Sequence, residues 1–484
     1  MKISFITFLW LLSSCTMHSI PDQIDPGVEL PEAFSSNDSG TQKIAQNWWT
    51  DFNDPVLTGV INQVRKENLD LRQAKARLAQ ARTMTTQAQS ALFPQVQLEG
   101  SYRKSQSSMF FGSDLPVGDQ GVVKIESTSS PISLGAVYEL DVWGRNRSNL
   151  SAANLGYESA TLDLKALEMT ITAQIVELWF MITEVKNQRS LLDQQIQANQ
   201  TMLDLVELRY TRGLASALDV HQQKVQLQGL EAQVPLSAAR EKILEHQLAL
   251  HMGKAPGAIQ VPRDMKLPVL EDFDALYVPS QILLLRPDVR ASELRVKAAH
   301  AQVAAAIADR FPKISLAGSY GVPGHQGRPL FENWVWNLVG NVVAPVFDGG
   351  RRGAEVDRQR AIVEERVSAF SKTVLTALQE VEDALISAKS QELHIVKLQN
   401  QLKTAHLSLE EAKRRYTGGL IDYLPVLSAL QSVQQLERMM ISAKRVQISY
   451  RIQLYRALGG GTLSPPSDPL TSSQSTPEQR ENRT

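Results

Sequence analysis

Two places in this chain bring residues with chemical potential together at short spacing: the imidazoles His246 and His251, and the run Gly459-Gly460-Gly461. A helical zinc pair needs side chains three or four residues apart on one face, whereas these histidines stand five apart in a polar stretch and read as solvated. The glycine run lacks the Lys and Ser/Thr that complete a phosphate loop, and it follows a helical segment instead of opening one. A helix stop is the better reading. The remaining histidines are scattered, and the single cysteine, Cys15, excludes a disulfide within one chain. Without a cysteine nucleophile, a metal cluster or a nucleotide loop, the sequence argues against an enzyme, and no catalytic, metal or cofactor-binding residue is assigned.

The cysteine has a different use. Lys2, an apolar run from Ile3 to Leu12 and Ser13-Ser14 precede it, a pattern that reads as a secretory signal too short to span a bilayer. Leu12-Ser13-Ser14-Cys15 resembles the bacterial lipobox, which implies a covalent lipid on Cys15 after cleavage, with acyl chains as a membrane anchor. Thr16, where an aspartate would retain such a lipoprotein, implies export to the outer membrane.

Larger elements must position whatever the chain does, and they occur twice. Phe93-Pro94-Gln95-Val96-Gln97-Leu98-Glu99-Gly100-Ser101-Tyr102 is echoed 218 positions later by Phe311-Pro312-Lys313-Ile314-Ser315-Leu316-Ala317-Gly318-Ser319-Tyr320. Arg209-Tyr210-Thr211-Arg212-Gly213-Leu214 is echoed after 206 positions by Arg415-Tyr416-Thr417-Gly418-Gly419-Leu420. The order is that of a tandem duplication, a plan suited to a wall element and ill suited to one enzyme pocket. With 43% apolar and 21% charged residues the chain fits an ordered protein, and a net charge of -1 without a basic face gives no reason to expect nucleic acid as a partner.

Each repeat predicts a helix, two antiparallel strands, a longer helix, a tight turn and a returning helix. In the first, 57–92 has helical spacing and ends at Pro94; alternation at Val96, Leu98, Gly100 and Tyr102, and again at Ile132, Leu134, Ala136, Tyr138 and Leu140, gives two strands around a long polar loop. The second repeats the strands with Ile314, Leu316, Gly318 and Tyr320, then Trp334, Trp336, Leu338, Gly340 and Val342. The longest segments, 157–212 and 354–417, contain neither Pro nor Gly and predict helices of roughly 80 to 95 Å with coiled-coil packing and one wet face. Return helices follow over 217–252, with a kink expected at Pro235, and over 424–458.

Four strands cannot close a barrel, and both of their faces carry apolar or small residues. The aromatics near their ends, Phe93, Tyr102, Trp143, Phe311, Tyr320, Trp334 and Trp336, are either ordinary core or, if the strands cross a membrane, belts at its two interfaces; the lipid anchor favours belts. The turns around Gly213 and Gly419 are helix connections with glycine past the helix end. Delivered together to one end by long helix pairs, they are also placed to ring an aperture and face a partner.

Trp48-Trp49-Thr50-Asp51-Phe52-Asn53-Asp54-Pro55-Val56-Leu57, Asn68-Leu69-Asp70-Leu71-Arg72, Arg286-Pro287-Asp288-Val289-Arg290-Ala291, Phe311-Pro312-Lys313-Ile314-Ser315-Leu316 and Leu454-Tyr455-Arg456-Ala457-Leu458-Gly459-Gly460-Gly461 together resemble the TolC-type outer-membrane efflux channels. Within them the chain is most similar to the NodT-type lipoprotein branch that serves resistance-nodulation-division pumps. The resemblance implies a mainly α fold with a transmembrane β part: a homotrimer with four strands per chain in one 12-stranded outer-membrane β-barrel, continuous with a long periplasmic α-helical barrel. It implies outer-membrane lipid, a periplasmic adaptor and an inner-membrane pump as partners. It implies an adaptor-docking role for the turn residues Arg209, Tyr210, Gly213, Leu214, Arg415, Tyr416, Gly419 and Leu420. At the aperture it implies an acid at Asp219 and an apolar constriction at Leu424, with Asp422, Tyr423 and Ser428 beside them. Ser428 stands where family members commonly carry an aspartate and Gln431 where they often carry an arginine, so an ion-pair lock has lost its usual residues.

The expected layout is a signal peptide over 1–14, a lipid-anchored tether over 15–47, repeats over 48–252 and 280–461, an irregular linker over 253–279, and a disordered tail over 462–484. The expected activity is passive export of drugs or other small solutes from periplasm to exterior. A type I protein-secretion duct and a non-conducting periplasm-spanning scaffold are the alternatives, and the membrane strands argue against the second.

Overall fold

The computed structural model describes residues 18–29, 31, 47–110, 122–270, 286–324 and 333–460. Cys15, the signal peptide, the tail and most of the tether lie outside these residues. The chain is mainly helical and divides into two compact units, each assembled from stretches distant in sequence: one from residues up to 27, 76–161 and 291–372, the other from 28–75, 162–290 and 373 onward.

The first unit holds the sheets. Strands β1 (Gln95–Gly100), β4 (Ile132–Leu140), β5 (Lys313–Val322) and β6 (Val335–Val343) form one antiparallel sheet in the order β1-β4-β5-β6. The central β4–β5 pair joins the two repeats, with Leu134 opposite Tyr320 and Leu140 opposite Ile314. The edge strands are exposed along their length, and apolar side chains such as Leu98 and Leu338 stand in the open. The long polar loop expected in the first repeat instead contains a second pair, β2 (Arg103–Phe110) and β3 (Val122–Ser129), in a separate two-stranded ribbon. Backbone pairing from Arg103–Ser129 to Phe110–Val122 satisfies a stretch whose side chains are too polar to announce a strand by alternation.

The expected helix over 57–92 is two helices, α1 (Pro55–Glu67) and α2 (Leu69–Ser90). Asn68 makes the break: its backbone is extended, its Oδ1 accepts the N–H groups of Asp70 and Leu71 at 2.9 and 3.0 Å, and its Nδ2 donates to the His251 carbonyl at 2.8 Å. A capping side chain that also finds a tertiary acceptor outweighs helical continuity. The long helices are longer than predicted. Helix α3 (Arg145–Thr211) runs through Gly156 and α7 (Arg351–Thr417) through Gly353. Asp141 accepts the N–H groups of Asn146 and Arg147, and Asp348 accepts those of Gly350 and Arg352, so a carboxylate caps the first turn upstream of each glycine. Both helices span 67 residues, about 100 Å each.

The second unit is an antiparallel helical assembly. The return helix of the first repeat is broken at Ala232 into α4 (Ala217–Glu231) and α5 (Gln233–His251), which puts Pro235 in the first turn of α5, where the missing N–H is harmless. Helices α6 (Pro287–Ala308) and α8 (Leu424–Ala457) complete the helices of the described residues; the first residues of α6 lie in this unit and the rest in the other. The core gathers Trp48, Phe52, Trp179, Phe180 and Tyr455. Trp48 stacks on Tyr455 at 5.1 Å, the Tyr455 hydroxyl donates to Asp51 Oδ2 at 2.5 Å, and Trp179 Nε1 donates to Asp54 Oδ2 at 2.7 Å. Arg286, nearly buried, donates to both Asp288 oxygens and to the Ala457 carbonyl, and pairs with Glu380 at 2.8 Å. One face remains uncovered. Leu218, Val225, Leu236, Ile243 and Leu250 are all exposed at steps of seven, with one step of eleven across the Ala232 break. The four extra residues there are a coiled-coil stutter that keeps the apolar seam on one side.

Candidate functional site at the paired helix turns

Both long helices end in the same way. Gly213, at φ 71, donates its N–H to the Tyr210 carbonyl at 2.9 Å while Leu214 donates to Arg209 at 2.8 Å; Gly419, at φ 74, and Leu420 repeat this with Tyr416 and Arg415 at 3.0 and 2.9 Å. This is a Schellman end, in which a left-handed residue turns the chain and satisfies the last carbonyls, so glycine is required at both positions. The leucine after each glycine would usually fold back on its helix. Here Leu214 and Leu420 are 61% and 77% exposed, and Tyr210 is also exposed.

The two turns then diverge. In the first, Ser216 and Asp219 form a capping box: Asp219 Oδ2 accepts the Ser216 N–H at 2.8 Å and Ser216 Oγ accepts the Asp219 N–H at 3.2 Å. The second has no side-chain cap; Pro425 sits in the first turn of α8 and Tyr423 precedes it. Leu424 is 58% exposed, and Ser428, one helical turn on, is exposed on the same side. Asp422 is exposed as well.

Tyr423 corrects the expected aperture. It is fully buried among Val206, Val220, Leu227, Val426 and Leu427, so it forms the core under the turn and does not line an opening. Tyr416 likewise is buried, 5.4 Å from Tyr423 ring to ring, and cannot meet a partner. Burial pushes both phenols above their ordinary pKa, helped for Tyr423 by Tyr416 and Asp219, and both stay neutral. Arg209 is used internally: its guanidinium lies over the Tyr416 ring at 4.6 Å and donates to the Thr417 carbonyl at 3.2 Å, which ties the first turn to the second. Arg415 is exposed, and its Nε donates to Glu411 at 2.7 Å. That bond, with the charges of Arg414 and Arg415, holds the Glu411 carboxyl below its usual range.

Beneath the turns runs a polar ladder that the sequence reading missed. The Tyr423 hydroxyl donates to Gln223 Oε1 at 2.5 Å, and Gln223 Nε2 donates to the Asn199 carbonyl at 2.8 Å. Asn199 donates to the Gln195 carbonyl at 2.7 Å, and Gln195 bonds Glu437 at 2.9 Å and Arg438 at 2.7 Å. Gln223, Asn199, Gln195 and Gln434 are buried. On the exposed edge Gln431 donates to Gln226 at 2.8 Å and Gln226 to Gln434 at 3.1 Å. Farther along α3 and α8, Arg445 pairs with Glu177 at 3.0 Å and Glu184 at 2.9 Å. The four-residue spacing of Gln195 and Asn199, polar residues on the helix face that also carries Leu192, Leu203 and Val206, was the available signal.

The arrangement contains no reacting group. It offers exposed apolar side chains on paired turns, joined by Arg209 and by side-chain amides beneath them.

The family model described as outer membrane efflux protein matches residues 60–254 and 278–460. Pyoverdine export outer membrane protein OpmQ of Pseudomonas aeruginosa is 27% identical over 477 residues, covering 96% of this chain and 97% of that one. Nodulation protein T of Rhizobium leguminosarum bv. trifolii is 24% identical over 463 residues, with 94% and 96% covered. The structure of the outer-membrane channel OprN superposes with a TM-score of 0.82 at 25% identity, over 92% of this chain and 98% of that one.

Proposed function

From a chain that belongs to the outer membrane efflux protein family, and is thus an outer-membrane efflux channel and not an enzyme, we propose a finer reading of how the duct is built and closed. Three copies assemble. The β6 edge of each four-stranded sheet pairs with the β1 edge of the next, giving a closed barrel of 12 strands and leaving no edge in lipid.

The observation that carries this is the sheet itself, with two unpaired edges and apolar side chains exposed along them. Its aromatics support a membrane position. Phe93, Trp143 and Phe311 stand at one end of the strands and Tyr102, Tyr320, Trp334 and Trp336 at the other. From Phe311 to Tyr320 the strand rises about 30 Å, which at barrel tilt matches an apolar band of ~25 Å. The helices form the periplasmic barrel, in which the exposed seam from Leu218 to Leu250 is covered by a neighbouring copy.

Leu424 from three copies constricts and dewets the periplasmic opening, while Gln431, Gln226 and Gln434 join the helix pairs without charge. Leu214, Leu420 and Tyr210 face a periplasmic adaptor, and a resistance-nodulation-division pump of the inner membrane supplies the energy. Cys15 carries the lipid. The exported class is small solutes, in line with the pyoverdine export for which the Pseudomonas aeruginosa relative is named. Light scattering of the detergent-purified protein tests the assembly: a mass of three chains is expected, and a monomer that retains its β signal refutes it. Susceptibility profiling of a deletion strain tests export, with greater sensitivity to small toxic solutes expected.

A further inference from the structure

At the foot of the sheet, where β4 gives way to α3, a cavity of about 480 Å³ is lined by Ile20, Val142, Trp143, Arg147, Ser151 and His18, among others. That volume lies in the range of small-molecule sites, roughly 300–1,000 Å³. Its walls are fixed. Trp143 stacks on Phe311 at 4.8 Å and donates its Nε1–H to the Pro312 carbonyl at 2.7 Å. His18 and His300 share a hydrogen bond of 2.9 Å with rings 5.2 Å apart, and the Ser371 hydroxyl donates to the Pro26 carbonyl. The N-terminal segment is thus held at two points, one of them on the cavity wall.

We propose that this cavity seats the glyceryl and ester portion of the lipid on Cys15, while the acyl chains run on into the bilayer. The inference rests on the lipoprotein reading above. Cys15 precedes His18 by three residues, so its Cα lies within about 11 Å of that residue at full extension. The chemistry of the lining matches. A diacylglyceryl thioether with an amide-linked chain offers neutral carbonyl acceptors and methylenes. The cavity offers apolar Ile20, Val142 and Trp143, the Ser151 hydroxyl, and the N–H groups that Arg147 does not spend on Asp141 at 3.3 and 3.1 Å. Asp141 already accepts from Arg147 and from two backbone N–H groups, so the arginine charge is answered and a neutral occupant suits the site better than an anionic headgroup. Seating the linker here fixes where the anchor enters the membrane.

Cells fed a fatty acid carrying a diazirine near its carboxyl end, then irradiated, report what surrounds that end. Cross-links are expected to peptides containing residues 142–151 and to those containing Ala301 and Ala304, which also line the cavity. They should disappear in Cys15→Ala and weaken in Ser151→Trp, whose indole intrudes on the cavity, while the latter keeps the lipid mass on Cys15. A lipidated Cys15 whose cross-links reach only phospholipid or the strands overturns the inference and leaves the lipoprotein reading standing. An unmodified Cys15 overturns both. Cross-links that persist at these peptides in Cys15→Ala make the occupant a free phospholipid and also overturn it. The cross-link map of the unsubstituted protein decides the matter even if Ser151→Trp does not fold.

Discussion

Replacing Tyr423 with phenylalanine removes one hydroxyl and nothing else. The ring keeps its place beside Tyr416 and in the apolar cluster, but Gln223 Oε1 loses the donor that stood 2.5 Å away. That oxygen cannot turn to water: Gln223 is buried and its amide nitrogen is held by Asn199. A buried acceptor left without a donor costs about 1–3 kcal/mol. If the ladder is intact only when the turns are closed, the cost falls on the closed state alone, and the open-to-closed ratio should rise by about 5- to 150-fold. Single-channel recording in planar bilayers reads this ratio directly, and sensitivity of cells to a large antibiotic such as vancomycin reads it in the envelope. An open fraction and a sensitivity both unchanged by Tyr423→Phe would refute the claim that the buried ladder holds the turns shut.

Leu424→Ala should raise conductance more than Asp219→Ala does, because the leucine projects from the chain while the aspartate spends one oxygen on the Ser216 N–H; Asp219→Ala should instead loosen the start of α4 by ~0.5–2 kcal/mol, read as lower thermal stability. Cys15→Ala should lose radiolabelled palmitate and still assemble, since the strands of the proposed barrel would bury far more lipid-facing area than acyl chains do; label that remains would refute the anchor. Burial raises the Asp288 carboxyl, but the hydrogen bond and charge of Arg286 outweigh it and hold the pKa below its ordinary value. Its contribution to stability is then present above the unfolded pKa near 4 and lost as pH falls through the lower folded value. Asp288→Asn should lower the melting temperature at pH 7, with the gap to the unsubstituted protein closing as the pH drops below about 4.

Periodicity and punctuation made much of this architecture legible. The long helices showed as runs without Pro or Gly, and the sheet strands as alternation at Val96–Leu98, Ile132–Leu140 and Ile314–Tyr320. What escaped was whatever depended on a distant partner. Asn68 breaks a helix because its amide finds the His251 carbonyl, and β2 and β3 exist because their backbones find each other. The same holds at the turns. Gly213 and Gly419 were readable from local conformation, but Tyr416, expected to face a partner, and Tyr423, expected beside the aperture, both lie in the core, a distinction that only burial makes. Gln195, Asn199, Gln223 and Gln434 passed for a wet face, since a buried amide and a solvated one are the same letter.

The polar rungs from α3 to α7 and α8 carry an evolutionary consequence. Glu184 meets Arg445, Gln195 meets Arg438, and Arg209 reaches Thr417 across the turns, so the two repeats are indexed to each other. One residue inserted between Gln195 and Arg209 would rotate everything beyond it by about 100°. Seven would restore the face but drive the first turn about 10 Å past the second. Indels in this part of the chain are therefore tolerable only in matched pairs, and duplication has left α3 and α7 at the same 67 residues. The twelve residues by which the repeats differ fall between the strand echo and the long helix, where the first repeat carries the β2–β3 ribbon. The length difference between the repeats is confined to the loops of the sheet, which makes them the natural place for an inserted epitope or tag.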